Sequence, residues 1–130
     1  MSNINVAIAD DNEKIRQNLQ ELVSKEGDMT IVGSASNGLD ALNMIRVSHP
    51  DVVLLDIIMP KMDGLGVLEK VNKDETLLKK PAFIILTAMG QEEVMEEALG
   101  LGAKYVLLKP YDRNALLKKI RQIKNGKGIR

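Results

Sequence analysis

Cysteine and tryptophan are absent from this sequence, and aromatic residues are scarce. Without cysteine, the 130 residues cannot form disulfides, thiolate nucleophiles or cysteine-based zinc sites. Two Tyr and one Phe are too few to build a base-stacking surface for single-stranded nucleic acid. No apolar run approaches the length of about 18 residues that spans a membrane, and the N-terminal residues lack the pattern of a signal peptide. We therefore expect a cytoplasmic protein that contacts neither membranes nor, directly, nucleic acid.

Neither sign of charge is in excess. Lys and Arg together number 18, as do Asp and Glu, so the formal net charge is zero. A content of 45% hydrophobic and 28% charged residues, with only 4 Pro, is typical of a folded globular protein and not of a disordered chain. The length suits one domain. We predict a single domain over residues 1–124, with residues 125–130 as the start of a linker or tail.

Short apolar runs alternate with amphipathic stretches along the whole chain. Residues 4–9, 29–35, 52–55, 83–86 and 105–108 are the predicted strands. Apolar residues spaced three and four apart predict a helix after each strand, and Leu39, Leu42 and Ile45 mark the second helix. This alternation predicts an α/β fold: a (βα)5 doubly wound parallel sheet, flavodoxin-like, with strand order 2-1-3-4-5.

Polar side chains follow four strands that are neighbours in this order. Asp10 and Asp11 follow the first strand, Asp56 the third, Thr87 the fourth and Lys109 the fifth. Taken singly, each has an ordinary explanation: an Asp after a strand often forms a turn or caps a helix, Thr is a common strand residue, and a lysine is usually solvated. Because ligands bind at the carboxyl ends of parallel strands, their convergence predicts a functional site.

The charge of this site predicts a bound cation. Three neighbouring carboxylates repel one another and need a proton or a cation, and hard oxygen ligands suit Mg²⁺, with Ca²⁺ or Mn²⁺ as substitutes. Lys109 and one Mg²⁺ together neutralise the three Asp residues, so that the site can accept a phosphoryl group. Asp56 is the best candidate nucleophile, because we expect the central strand to hold it deepest. The Thr87 hydroxyl and Lys109 would contact the transferred group.

The same residues carry a family resemblance. The motifs are Asp10-Asp11, Asp56 followed by IIMPKMDG, Leu86-Thr87-Ala88 and Lys109-Pro110. With these four motifs in order, essentially the whole chain resembles the response-regulator receiver domains of bacterial two-component and phosphorelay signalling. More narrowly, the stretches VAIADDNE, LDIIMPKMDGLGVLEK and LTAMGQEEV are similar to the receivers of the stage-zero sporulation transcription factors of spore-forming bacteria.

The resemblance implies a role for each site residue. Asp56 matches the phosphoacceptor, and Asp10 and Asp11 match the acidic pair that holds Mg²⁺ with it. Ile58 matches the position whose backbone carbonyl also binds the metal. Lys109 matches the lysine that contacts the phosphate.

The resemblance also implies a switch. Thr87 and Tyr105 match the pair whose hydroxyl and ring move on phosphorylation. The bond between Lys109 and Pro110 is cis in the family, although a trans bond is expected from the general frequency of X–Pro bonds.

The implied function is a phosphorylation-driven signalling switch and not an enzyme acting on other substrates. A phosphohistidine donor protein, either a histidine kinase or a phosphotransferase, phosphorylates Asp56, and the surface of helix 4, strand 5 and helix 5 changes. This change would control a phosphorylation-dependent homodimer and a DNA-binding effector domain that this sequence does not contain.

Other functions remain open on the sequence alone. One is a stand-alone phosphorelay receiver. Another is an aspartyl-phosphate hydrolase of the haloacid-dehalogenase kind, which needs a second acid where this chain has Ile58. Flavin binding is opposed by the acidic pair and the few aromatics. The last alternative is a structural metal module in which Asp56 is never modified.

Overall fold

Strands and helices alternate along the computed structural model, which describes the backbone of residues 3–129 and the side chains of residues 3–124. Over these residues the elements are β1 (Ile4–Ala9), α1 (Glu13–Ser24), β2 (Met29–Ala35), α2 (Gly38–Ser48), β3 (Val52–Leu55), α3 (Gly64–Lys73), β4 (Ala82–Thr87), α4 (Glu92–Gly100), β5 (Tyr105–Leu108) and α5 (Arg113–Ile129). All strand pairs are parallel, in the order β2-β1-β3-β4-β5. The predicted (βα)5 doubly wound fold is confirmed.

Alternating residues of the central strands supply two hydrophobic cores, one on each face of the sheet. Val53 and Leu55 of β3 pack with α2, α3 and α4, whereas Val52 and Leu54 pack with α1 and α5. All four residues of β3 are buried, because successive side chains point to opposite faces and both faces are covered. This packing fixes the strands rigidly, and with them the residues at their carboxyl ends.

Three helices begin immediately beyond the carboxyl edge of the sheet, each at a capping side chain. The side-chain oxygens of Asn12, Asn37 and Asp63 accept hydrogen bonds from backbone N–H groups in the first turns of α1, α2 and α3, at 3.1, 2.9 and 2.8 Å. Such caps satisfy N–H groups that have no partner within the helix. The starts of these helices, and the ends of the loops that lead to them, are therefore fixed next to the site.

Two segments, α2 and the end of α5, differ in detail from the sequence-based expectations. Leu39, one of the apolar residues that mark the second helix in the sequence, is 46% exposed, whereas Ala41, Leu42 and Ile45 form the buried stripe of α2. α5 continues to Ile129, within the segment predicted as a tail or linker, and Arg130 lies outside the described residues. The role of residues 125–130 stays a prediction.

Membrane-spanning character is absent from the described residues: none of their helices has the length and the apolar run that crossing a bilayer requires.

Candidate functional site

The ends of β1, β3, β4 and β5 bring the polar residues to one edge of the sheet. The backbone hydrogen bonds of the sheet continue one residue past the strands, since Asp56 N–H donates to the Ala9 carbonyl at 2.9 Å and Lys109 N–H donates to the Thr87 carbonyl at 2.8 Å. Asp10 follows β1 in the same way, with its N–H on the Ala35 carbonyl of β2 at 3.1 Å. The convergence predicted from the strand order is therefore present.

Three carboxylates cluster at this edge. Asp10, Asp11 and Asp56 each present an oxygen, and these oxygens lie within 4.8 Å of one another. Asp11 is exposed, whereas Asp10 and Asp56 are buried, with 2% and 8% of their surface exposed. A group of this kind holds several negative charges in little space, and carboxylate oxygens are the ligands that Mg²⁺, Ca²⁺ and Mn²⁺ prefer.

The expectation that Asp56 is the most deeply held carboxylate was wrong, because Asp10 is more buried. The first turn of α1 covers Asp10. Its Oδ1 accepts the N–H of Asn12 at 2.9 Å, and Arg16 Nη1 donates to its backbone carbonyl at 2.7 Å. The contact from Arg16 was not predicted. The sequence shows only a charged residue in the first helix and does not indicate which carbonyl its side chain reaches.

Lys109 forms ion pairs with both buried carboxylates. Its Nζ lies 2.9 Å from Asp10 Oδ2 and 3.3 Å from Asp56 Oδ2. With Asp11, the three carboxylates and one ammonium leave a local charge of −2, by the count −3 + 1. A divalent cation matches that remaining charge.

Burial and charge both act on the pKa values of this pair. Burial raises the pKa of Asp56, and the Asp10 charge adds to the effect, while Lys109 opposes it without cancelling it. Burial disfavours the charged form of Lys109, but its hydrogen bond to Asp10 and the charges of both carboxylates outweigh burial and raise its pKa. The lysine therefore stays an ammonium against the two acids.

Thr87 and Tyr105 occupy different parts of the protein. Thr87 is fully buried at the end of β4, and its Oγ1 accepts the N–H of Met89 at 3.1 Å. Tyr105 is half-buried at the start of β5, opposite Ile84, and so lies at the other end of these strands from Thr87. The structure thus brings Thr87, but not Tyr105, to the acidic edge.

Helix α5 holds the ring of Tyr105. The Tyr105 hydroxyl donates to Gln122 Oε1 at 3.3 Å, and Lys119 Nζ lies 4.5 Å from the ring centroid. The ring therefore contacts α5 through both a hydrogen bond and a cation–π interaction.

The loop between β3 and α3, residues 57–63, completes the rim of the site. Gly64 N–H donates to the Ile57 carbonyl at 2.7 Å, and the N–H groups of Met62 and Gly38 donate to the Pro60 carbonyl at 2.8 and 3.4 Å. Ile58 lies between these fixed points, with its side chain exposed. The contact between Gly38 and this loop was not predicted from the sequence.

An apolar groove borders the site at Lys109. It has a volume of about 390 Å³ and lies between α1 and the segment that follows β5. Its walls include Ile15 and Leu22 on one side and Pro110 and Tyr111 on the other. The bond between Lys109 and Pro110 is cis, as the family resemblance implied.

Comparison of the sequence with known protein families identifies the family of this chain. The sequence profile of the response regulator receiver domain matches residues 6–121. The chain belongs to this family. Receiver domains are the regulatory phosphoacceptor domains of two-component response regulators and are generally not enzymes.

Solved structures of the same family superpose closely on this receiver. The response regulator domain of CheB from Thermotoga maritima is 30% identical with a TM-score of 0.86, and the match covers 95% of this chain and 97% of that one. A DNA-binding response regulator of the LuxR family from Staphylococcus aureus is 32% identical with a TM-score of 0.84, covering 92% and 98%. A chain of the CheX–CheY–BeF3–Mg²⁺ complex from Borrelia burgdorferi is 30% identical with a TM-score of 0.83, covering 92% and 88%.

Proposed function

We propose that Asp56 accepts a phosphoryl group from the phosphohistidine of a donor protein, a histidine kinase or a phosphotransferase. One Asp56 oxygen forms a bond to phosphorus while the bond from phosphorus to the imidazole nitrogen breaks, and its electron pair returns to the imidazole. The observation that supports this most directly is Lys109, whose Nζ sits between Asp10 and Asp56 in a cluster of three carboxylates. It can hold the phosphoryl oxygens beside Asp56.

Differences in hydrogen bonding favour Asp56 over Asp10 as the acceptor. Asp10 uses Oδ1 to accept the Asn12 N–H and Oδ2 to accept Lys109, and it is the more buried of the two. Asp10 therefore fixes the turn after β1 and forms an ion pair with Lys109. Asp56 is held by Lys109 through Oδ2 at the longer distance of 3.3 Å, and it is more accessible from the rim.

The three carboxylates form a suitable site for Mg²⁺. Asp10, Asp11 and Asp56 would hold it together with the backbone carbonyl of Ile58, and it would offset negative charge on the incoming group. Ca²⁺ or Mn²⁺ would substitute, since the ligands are all oxygens. The Borrelia burgdorferi complex, which contains BeF3 and Mg²⁺, supports this assignment for a related protein.

The remaining residues transmit the change. The Thr87 hydroxyl would turn to the phosphoryl group, and the Tyr105 ring would leave its contacts with α5. The surface of α4, β5 and α5 would then favour a phosphorylation-dependent homodimer and act on a DNA-binding effector domain. The narrower sequence similarity favours a sporulation transcription regulator as the full protein, and the Staphylococcus aureus relative is itself a DNA-binding response regulator.

Intact mass measurement tests the phosphoacceptor. We expect the protein to gain one phosphoryl group when it is incubated with acetyl phosphate and Mg²⁺, and Asp56→Asn to gain none. Asp112→Asn is the matched control, because Asp112 is exposed and an asparagine can still accept the N–H of Asn114. It should be phosphorylated like the parent.

Four other results would contradict the proposal or redirect it. An adduct that persists in Asp56→Asn would place the acceptor elsewhere. No adduct with acetyl phosphate or with a phosphohistidine protein would exclude a phosphoacceptor. Steady turnover of an unrelated phosphoester would indicate a hydrolase. Transfer of the group onward to a second histidine protein would identify a phosphorelay intermediate and not an effector-controlling receiver.

A further inference from the structure

Helix α2 begins in direct contact with the loop that follows Asp56. A Cβ atom built on Gly38 would lie 1.9 Å from the backbone oxygen of Met62 and 2.6 Å from its backbone carbon. Gly38 does not have a positive φ, a conformation that among the described glycines belongs to Gly102. An alanine could therefore adopt the backbone conformation at position 38. Glycine is needed there for space, because any side chain would overlap the loop.

The same loop is fixed closely at its other end. A Cβ atom on Gly64 would lie 2.4 Å from the backbone oxygen of Asp56 and 2.9 Å from Ile57 Cα. The carbonyls of Ile57 and Pro60 accept hydrogen bonds from Gly64 and Gly38. Among the described residues no donor is bonded to the Ile58 carbonyl between them. That oxygen is thus held in place while remaining available to a ligand.

A side chain at position 38 would displace the loop and not the helix. α2 is anchored in the core, with Ala41 and Ile45 almost completely buried. The loop is exposed at Pro60 and Lys61, and Lys61 already has a φ of 71°, in the left-handed region that side chains rarely adopt. The loop therefore yields more easily than the buried face of the helix.

We propose that Gly38 is a positioning residue for the cation site. By carrying no side chain, it sets the distance between α2 and the loop, and so the place of the Ile58 carbonyl relative to Asp56. The inference rests on the proposed function, since it takes Mg²⁺ as the ligand.

A pair of alanine substitutions tests the proposal, because both put a methyl group against the same residue. Gly38→Ala meets the backbone of Met62, whereas Gly66→Ala meets the flexible Met62 side chain at Cγ, 2.8 Å away. We expect Gly38→Ala to weaken Mg²⁺ binding about tenfold, as changes around a metal site commonly do. Gly66→Ala should leave the Kd unchanged. Calorimetric titration at constant ionic strength measures both.

A spectroscopic measurement separates positioning from a general loss of structure. In the parent protein, Mg²⁺ should shift the ¹³C resonance of the Ile58 carbonyl, and in Gly38→Ala this shift should be reduced while circular dichroism without metal matches the parent. An equal Kd and an equal carbonyl shift in Gly38→Ala would overturn the inference alone. A parent that binds no Mg²⁺ would overturn the metal site in the proposed function as well.

If Gly38→Ala does not fold, a measurement on the unmodified protein tests the inference instead. Mg²⁺ should move the amide resonance of Gly38 with the same Kd as the Ile58 carbonyl, since the Gly38 N–H is bonded to the loop at Pro60. Gly27 serves as the reference, because a Cβ there would meet nothing within 4 Å. A Gly38 resonance that stays in place while the Ile58 carbonyl moves would overturn the inference.

Discussion

At the scale of single residues, Lys109 is the charged group that the acidic site depends on for balance. Its ammonium is the cation between two buried carboxylates, and only 19% of its side chain is exposed. Removing one partner of a buried ion pair leaves the other charges unpaired in a poorly solvated place, which costs about 3 kcal/mol or more. The same residue therefore serves stability without metal and phosphoryl binding in the proposed reaction.

We expect Lys109→Gln to lower the free energy of unfolding at pH 7 by about 3 kcal/mol when no divalent cation is present. Mg²⁺ should recover part of this loss, because it would neutralise the same carboxylates. Urea unfolding with and without Mg²⁺ measures both effects. Lys73→Gln is the control: its contact with Glu69 is long, at 3.9 Å, and exposed, so its loss should change stability by less than about 0.5 kcal/mol. Equal effects of the two substitutions would contradict the role of Lys109.

Asp74 gives a second prediction, concerning pH. Hydrogen bonds from Thr76 and the Arg46 guanidinium lower the pKa of Asp74 from 3.8 to about 2. A carboxylate whose pKa is lower in the folded state adds stability above its unfolded pKa, and this stability is lost as the pH falls through the folded value. The stability difference between the parent and Asp74→Asn should therefore be constant from pH 7 to about 5 and shrink between pH 4 and 2. Denaturant unfolding across this range measures it, and a difference that does not vary with pH would exclude an ionic origin.

At the scale of the elements, the two asparagine caps provide a comparison within one protein. Asn12 caps α1 at an exposed site, where its side chain accepts one hydrogen bond, from the Ile15 N–H. Asn37 caps α2 while buried, accepts from the Asp40 N–H and donates to the Asp40 carboxylate at 2.9 Å. Loss of a cap commonly costs about 1 kcal/mol, and loss of a buried bonded group costs more.

We therefore expect Asn37→Ala to lower the free energy of unfolding by about 2 kcal/mol and Asn12→Ala by about 1 kcal/mol. Chemical denaturation at pH 7 without metal measures both. Asn37→Asp should retain most of the capping, although it places a second carboxylate against Asp40. An Asn12 substitution that costs as much as the Asn37 substitution would show that burial adds nothing to this cap.

The elements themselves were well predicted from the sequence, for a local reason. β1, β2, β3 and β5 have the predicted bounds, because a polar residue or a turn ends each apolar run. β4 is longer than predicted by one residue at each end, since it starts at Ala82 and includes Thr87. The site residues follow from those strand ends once the strand order is known. The contacts that hold the site residues in place cannot be predicted in this way. Arg16 on the Asp10 carbonyl and Gly38 against Met62 depend on how helices pack on the sheet, and no local pattern marks them.

At the scale of the whole molecule, a net charge of zero conceals an uneven distribution. The carboxyl edge of the sheet concentrates three carboxylates around one ammonium, and Asp11 is the member of this group that lies exposed. The fold brings these groups together against their mutual repulsion, so the cluster opposes folding unless a cation occupies it. A ligand that binds the folded state and not the unfolded chain stabilises the fold by mass action.

We expect Mg²⁺ at one hundred times its Kd to raise the free energy of unfolding by about 2.7 kcal/mol. In Asp11→Asn this gain should be much smaller, while stability in EDTA should stay the same or rise slightly, because Asp11 is exposed and its charge repels Asp10 and Asp56. Glu96→Gln, an exposed substitution on α4, removes the same charge elsewhere and should keep the full response to Mg²⁺. Urea unfolding at matched ionic strength separates specific binding from screening. If Asp11→Asn responded to Mg²⁺ as fully as Glu96→Gln, the cation would be acting on the overall charge of the protein and not on this cluster.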